Sequence, residues 1–217
     1  MKPTVFVVDD EKEVRDAVAF AIRQLGHTVR VFADGRELLS ILDPLLPNLR
    51  AVFMLDVRME PLSGPALHDA LIARGLRKRA PVLFLSGQGD IPLAVAAMSK
   101  GALDFVEKPN IDHLVDKVAL AVAKEAEWFD AFRRASFRLS LWESLSPQQR
   151  RVALRVAEGN TNKVIARELQ VTERMIEEHR RKVFEKLGVD SAAGLATTLA
   201  ELRTDGFDLL DRDRDCG

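Results

Sequence analysis

At 217 residues and 47% apolar content, the chain has room for two modest domains and enough apolar side chains to bury a core in each. Its formal net charge of −1 excludes a globally basic nucleic-acid or membrane-surface binder, so any basic surface must be local. Cys216 is the only cysteine, which excludes an intrachain disulfide and a Cys-based zinc site. No apolar run approaches the ~20 residues of a membrane span, and the expectation is a cytoplasmic protein without membrane association.

Thr4–Val8 is an apolar run of strand length that ends in three acids, Asp9, Asp10 and Glu11. Val14, Val18, Ala21, Ile22 and Leu25 then recur at helical steps before Gly26. Thr28–Phe32 alternates as a strand, and Asp34 caps a helix that runs to about Leu42. Ala51–Asp56 is a continuous apolar run closed by a carboxylate, as expected of a parallel strand buried on both faces. Residues 64–74 are helical, 81–86 a strand, 92–100 a helix and 102–106 a fifth strand, followed by Glu107, Lys108 and Pro109. Strands alternating with helices at this spacing predict an α/β fold, a doubly wound five-stranded parallel sheet with helices on both faces.

The carboxyl ends of such strands are where ligands bind. Here they present Asp9, Asp10 and Asp56, oxygen donors suited to a hard divalent ion such as Mg²⁺. Ser86 and Lys108 close the fourth and fifth strands, and a hydroxyl and an ammonium beside a carboxylate suit a phosphoryl group carried on Asp56. Taken singly, each residue has a plainer reading: Asp10 as a helix cap, Ser86 as a turn residue, Lys108 as a solvated charge, Phe105 as core.

Val8-Asp9-Asp10, Leu55-Asp56-Val57-Arg58-Met59, Ser63-Gly64, Ser86-Gly87, Gly101-Ala102-Leu103-Asp104-Phe105 and Glu107-Lys108-Pro109, in this order, resemble the receiver domain of two-component response regulators. The resemblance implies that Asp56 is the phosphoacceptor and that Asp9, Asp10, Asp56 and the backbone carbonyl of Arg58 hold Mg²⁺. It also implies that Ser86 and Lys108 contact the phosphoryl group, that Phe105 is the switch aromatic, and that the Lys108–Pro109 bond is cis. Where the family commonly has Pro four residues after the acceptor, this chain has Glu60 with Pro61 next, which leaves the shape of that turn open. Gly87 leaves a path to the site, while Arg58 and Gln88 occupy positions that influence water attack. A rival reading, a phosphatase with an aspartyl nucleophile, needs an acid two residues after Asp56, and that residue is Arg58. No turnover of an exogenous substrate is expected. His27, His68 and His113 are read as surface residues.

Beyond Pro109, Ile111, Leu114, Val118, Ala121, Trp128, Phe132, Ala135 and Leu139 continue a heptad-like stripe interrupted at Glu125. With neither Pro nor Gly from 110 to 143, one long helix is expected, joining the sheet domain to the C-terminal half of the chain. Ser146-Pro147 starts a helix to Glu158; Asn162–Leu169 and a longer helix capped by Thr172 come next, and residues 191–203 form a fourth. The short link between the second and third is that of a helix-turn-helix. From Pro147 to Arg203 eleven Lys or Arg face eight acids, a local excess of +3.

Leu145-Ser-Pro-Gln-Gln-Arg150, Gly159–Ala166, Thr172–His179 and Lys186-Leu-Gly-Val189 resemble the LuxR-type DNA-binding domain, and with the receiver the chain is similar to the FixJ and NarL group of response regulators. That resemblance implies base-reading candidates Glu177, Glu178 and Arg181, and phosphate-contact candidates Lys163, Arg174, His179, Arg180 and Lys182. Ion pairs within the helix are the alternative use of its two glutamates. The division expected is 1–120 receiver, 121–144 helical linker, 145–203 DNA-binding domain and 204–217 disordered tail. The implied partners are a sensor histidine kinase, double-stranded DNA, a second copy on phosphorylation and, as a further candidate, RNA polymerase. The alternative function is a phosphorylation-independent regulator with a degenerate receiver.

Overall fold

In the computed structural model, residues 2–87, 91–108, 111–204 and 209 are described. The chain divides into two compact units, Met1–Asp130 and Ala131–Gly217. In the first unit, five strands, β1 (Thr4–Val8), β2 (Thr28–Phe32), β3 (Ala51–Asp56), β4 (Val82–Ser86) and β5 (Asp104–Glu107), pair in parallel in the order β2-β1-β3-β4-β5. This order reverses direction between β1 and β3, the crevice where ligands bind in doubly wound sheets.

Alternation along the strands feeds two cores. Phe6, Val8, Phe53, Leu55 and Phe84 face one side, with Leu38 and Leu42 of α2 (Gly35–Leu42), Leu67 and Leu71 of α3 (Gly64–Ala73), and Ala97 of α4 (Ile91–Ser99). Val5, Val7, Val52, Met54, Leu83 and Leu85 face the other, covered by Ile22 of α1 (Lys12–Gln24) and by Leu114, Val118 and Ala121 of α5 (Ile111–Glu143). Burial on both faces explains the unbroken apolar runs of β3 and β4. The edge strand β2 is largely exposed, and the Arg30 guanidinium lies 5.8 and 5.5 Å from the ring centroids of Phe6 and Phe32.

The expected long helix is α5, 33 residues without a break. Glu125, read from sequence as a polar interruption of its stripe, is fully buried. Arg50, just before β3, donates to it twice, Nε to Oε1 at 3.1 Å and Nη2 to Oε2 at 2.7 Å, and lies over the Phe129 ring at 4.6 Å. A carboxylate enters an apolar interface only with such a partner.

The second unit is helical: the end of α5, then α6 (Pro147–Ala157), α7 (Asn162–Leu169), α8 (Glu173–Leu187) and α9 (Ala192–Thr204). Ser146 and Gln149 form a capping box at the start of α6. Trp142, Leu145, Val152, Ile165, Ile176, Val183, Leu195 and Leu199 form its core. Leu209, within the stretch expected to be a disordered tail, packs in that core at 3% exposure. The other tail residues, 205–208 and 210–217, lie outside the described residues, as do the Pro109 peptide geometry, Gln88 and the 89–90 stretch. Among the described residues, no helix is long and apolar enough to cross a membrane.

Candidate functional site

β1 and β3 are neighbours, so the carboxylates that end them meet at the crevice. Asp9 and Asp56 are buried, at 0% and 4% exposure, and Lys108, two residues beyond Val106 of β5, reaches both. Its Nζ lies 2.8 Å from Asp9 Oδ2, 3.0 Å from Asp56 Oδ1 and 3.4 Å from Glu11 Oε1. Its backbone N–H donates to the Ser86 carbonyl at 2.8 Å, which fixes the ammonium beside the end of β4. Burial raises the Asp9 and Asp56 carboxyls above the ordinary carboxylate value, against the pull of the Lys108 ammonium. Burial would lower Lys108, but its bonds to the two aspartates outweigh this and raise it.

One oxygen each from Asp9, Glu11 and Asp56 lies within 4.8 Å of the others. Asp9 Oδ2 is buried and faces the Lys108 ammonium at 2.8 Å, with no second donor among the described residues. Three carboxylates gathered this closely are a donor set that fits a hard divalent ion. Asp10, expected as the second acid, is exposed and lies outside this group, whose third member is Glu11, also exposed. The local reason is the turn after β1. Asp9 Oδ1 accepts from the Glu11 N–H at 2.9 Å, and Arg15 Nη1 draws in the carbonyls of Asp9 at 2.6 Å and Asp10 at 3.4 Å. The Arg58 backbone N–H donates to the Asp56 carboxylate, and the next turn contains a cis Glu60–Pro61 bond.

Two further residues frame the site. Gly64 opens α3 against the backbone of Asp56, where a Cβ would stand 2.1 Å from the Asp56 carbonyl oxygen. Phe105 stacks on Phe84 at 5.1 Å between centroids. His68 meets the Phe84 ring edge-on at 5.6 Å. His68 is 2% exposed, not a surface residue: α3 turns it inward, beside Leu93, Ala96 and Ala97 of α4. No sequence signal marks a lone helical histidine as buried.

In the second unit, α7, the turn at Gln170 and α8 form a helix-turn-helix, with Gln170 in the left-handed region (φ 55°) and Thr172 capping α8 through the Met175 N–H. Ile176, Val183 and Leu187 face the core, leaving Arg174, Glu177, Glu178 and Arg181 on the outward side of α8. Glu178 pairs with Lys182 at 2.7 Å and Arg181 with Glu185 at 3.3 Å. Arg180, a phosphate-contact candidate, is half-buried: Nη1 donates to Asn162 Oδ1 at 2.9 Å, and its guanidinium lies over Phe184. His179 is half-buried too, with Nδ1 buried, while Lys163 and Arg174 are at the surface.

The chain is similar to known proteins over both units. Residues 5–119 match the family model described as response regulator receiver domain, and residues 143–199 that of bacterial regulatory proteins, luxR family. The C4-dicarboxylate transport transcriptional regulatory protein DctR of Rhodobacter capsulatus is 41% identical over 198 residues, spanning 90% of this chain and 98% of that protein. The solved structure of the response regulator StyR is 32% identical with a TM-score of 0.74, covering 93% of this chain and 100% of that one. Full-length FixJ from B. japonicum is 32% identical at a TM-score of 0.52, covering 94% and 98%. The chain therefore belongs to the response regulators that join a receiver domain to a LuxR-type DNA-binding domain and regulate transcription.

Proposed function

We propose that phosphoryl transfer to Asp56 controls DNA binding by this regulator. The observation that carries the reading is the pairing of one partly exposed ammonium, Lys108, with two buried carboxylates, Asp9 at 2.8 Å and Asp56 at 3.0 Å, at the switch point of the sheet. In this reading residues 1–120 are the receiver, 121–144 the helical linker and 145–203 the DNA-binding domain. A carboxylate oxygen of Asp56 attacks the phosphohistidine of a sensor kinase; the P–N bond breaks, a P–O bond forms, and an acyl phosphate remains. Lys108 then exchanges a carboxylate partner for a phosphoryl oxygen, and Ser86 supplies a hydroxyl donor. Asp9, Asp56 and the Arg58 carbonyl, with a carboxylate from the Asp10–Glu11 turn, are the residues that would hold Mg²⁺. When bound, Mg²⁺ offsets the negative charge that gathers on the transferring phosphoryl group.

The switch runs from Ser86 and Phe105 to the surface of α4, β5 and α5. Leu93, Val95 and Met98 of α4 are exposed there, at 41%, 62% and 45%, an apolar face suited to a second copy. A dimer would present two copies of α8 to paired half-sites, with Lys163 and Arg174 the surface cations best placed for phosphates. RNA polymerase is a further candidate partner.

The test is intact mass after incubation with acetyl phosphate and Mg²⁺, for the native chain and for Asp56→Asn. One phosphoryl adduct on the native chain alone is expected. An unmodified native chain with its fold intact would transfer the reading to phosphorylation-independent regulation.

A further inference from the structure

The two adjacent glutamates of α8 differ in their electrostatic surroundings. Glu178 already has a partner: Oε1 accepts from Lys182 Nζ at 2.7 Å, and this bond holds its carboxyl below the ordinary range. Glu177 is exposed and has no ionic partner within 4.0 Å among the described residues. Of the two arginines on the outward face three and four residues away, Arg181 is taken by Glu185 at 3.3 Å, and Arg174 makes no ion pair with Glu177 within 4.0 Å among the described residues.

We propose that Glu177 is a specificity-determining residue that selects cytosine in the major groove, and that Glu178 reads no base but masks Lys182 against sequence-independent binding. The assignment rests on the DNA-reading role proposed for α8. An unpaired carboxylate carried toward a phosphate-lined groove loses water and is repelled unless a base edge offers it a donor. Guanine presents only acceptors there, and thymine an acceptor and a methyl group. Adenine offers its N6 amino group, but N7 beside it turns a lone pair toward the carboxylate. Cytosine offers N4 with only C5–H beside it on its own ring, and is the base that pairs with Glu by geometry. Glu177 thus attracts one base and penalises the rest.

Glu178 has less to gain. Exchanging the Lys182 ammonium for a base amino group replaces one donor by a weaker one. Its effect falls on Lys182, whose charge it holds back from phosphates, and each cation withheld removes about 0.9 from the slope of log affinity against log salt.

The experiment is selection of full-length chain, treated with acetyl phosphate and Mg²⁺, on randomised duplexes, with the native protein, Glu177→Gln, Glu177→Ala and Glu178→Gln in parallel. The native chain is expected to enrich cytosine at one position per half-site, by about 5- to 150-fold over other bases. Glu177→Gln should shift that position toward adenine, which Gln meets at N6 and N7, and Glu177→Ala should lose the preference without gaining another. Glu178→Gln should keep the enriched sequence, bind a scrambled duplex more tightly, and steepen its salt slope by about 0.9. Cytosine enrichment that survives both Glu177 variants, or a base change caused by Glu178→Gln, overturns the assignment alone. A native chain that enriches no sequence overturns the role of α8 itself, and the assignment with it.

Discussion

Arg50 and Glu125, 75 residues apart, close a two-toothed ion pair in which the carboxylate is wholly buried and the guanidinium mostly so. The pair joins the approach to β3 to the middle of α5. It completes the stripe of Leu114, Val118 and Ala121 one turn further along, with a charge where an apolar residue would be expected. Glu125→Ala leaves Arg50 without this partner against the sheet and should destabilise the receiver unit by about 3 kcal/mol. Replacing both, Arg50→Met with Glu125→Leu, should restore most of that loss. Urea unfolding of the native chain and both variants measures the two effects; a double variant as unstable as the single would show that the pair is not the source.

Gly64 is required by space. A methyl group there would meet the Asp56 carbonyl at 2.1 Å and Phe84 Cε1 at 3.1 Å, neither of which is the end of a flexible chain. Gly64→Ala should cost about 3 kcal/mol, the upper end for overpacking, and should lower the extent of acetyl phosphate labelling at equal folded fraction.

His68 makes stability depend on pH. Burial lowers its pKa from the ordinary 6.5, with Asp69 pulling it up and Lys100 and Arg77 reinforcing the fall. As pH drops, the unfolded chain therefore takes up this proton before the folded chain does. The stability present above about pH 6.5 is lost progressively below it. Denaturation midpoints of the native chain should fall between about pH 7 and 5 more steeply than those of His68→Leu. His27, also lowered by burial, is common to both proteins and drops out of the difference.

The cations of the helix-turn-helix divide into two classes. Lys163→Ala and Arg174→Ala should each weaken binding to all duplexes alike and reduce the salt slope by about 1. Arg180→Ala removes the bond to Asn162 and the contact with Phe184, and so should lower the melting temperature of the second unit with the slope unchanged. Salt titrations beside thermal melts separate the two.

How far each feature was legible in the sequence depends on the range of the forces behind it. β3 and β4 read plainly because burial on both faces leaves no polar alternation, and α5 because nothing between 111 and 143 breaks a helix. Asp9, Asp56 and Lys108 were legible because strand ends in a parallel sheet must converge on one edge. Glu125 was not, since the partner that makes its burial tolerable lies across the fold. His68 was not, since neutrality, the condition of its burial, leaves no mark on composition. That Glu11 lies near Asp9 and Asp56 was not legible, since the turn it sits in is held by contacts such as those of Arg15 with two of its carbonyls, which leave no pattern in the sequence.

The sheet ends in two strands with an unpaired side. On β2, Arg30 spreads over the rings of Phe6 and Phe32 and sets a charge on the border itself. β5 is only four residues long and carries Asp104 and Glu107 at its limits. A neighbouring chain offering an extended segment would have to strip water from these charges to gain few backbone bonds. Growth of the sheet from one molecule to the next is thereby discouraged at both of its borders.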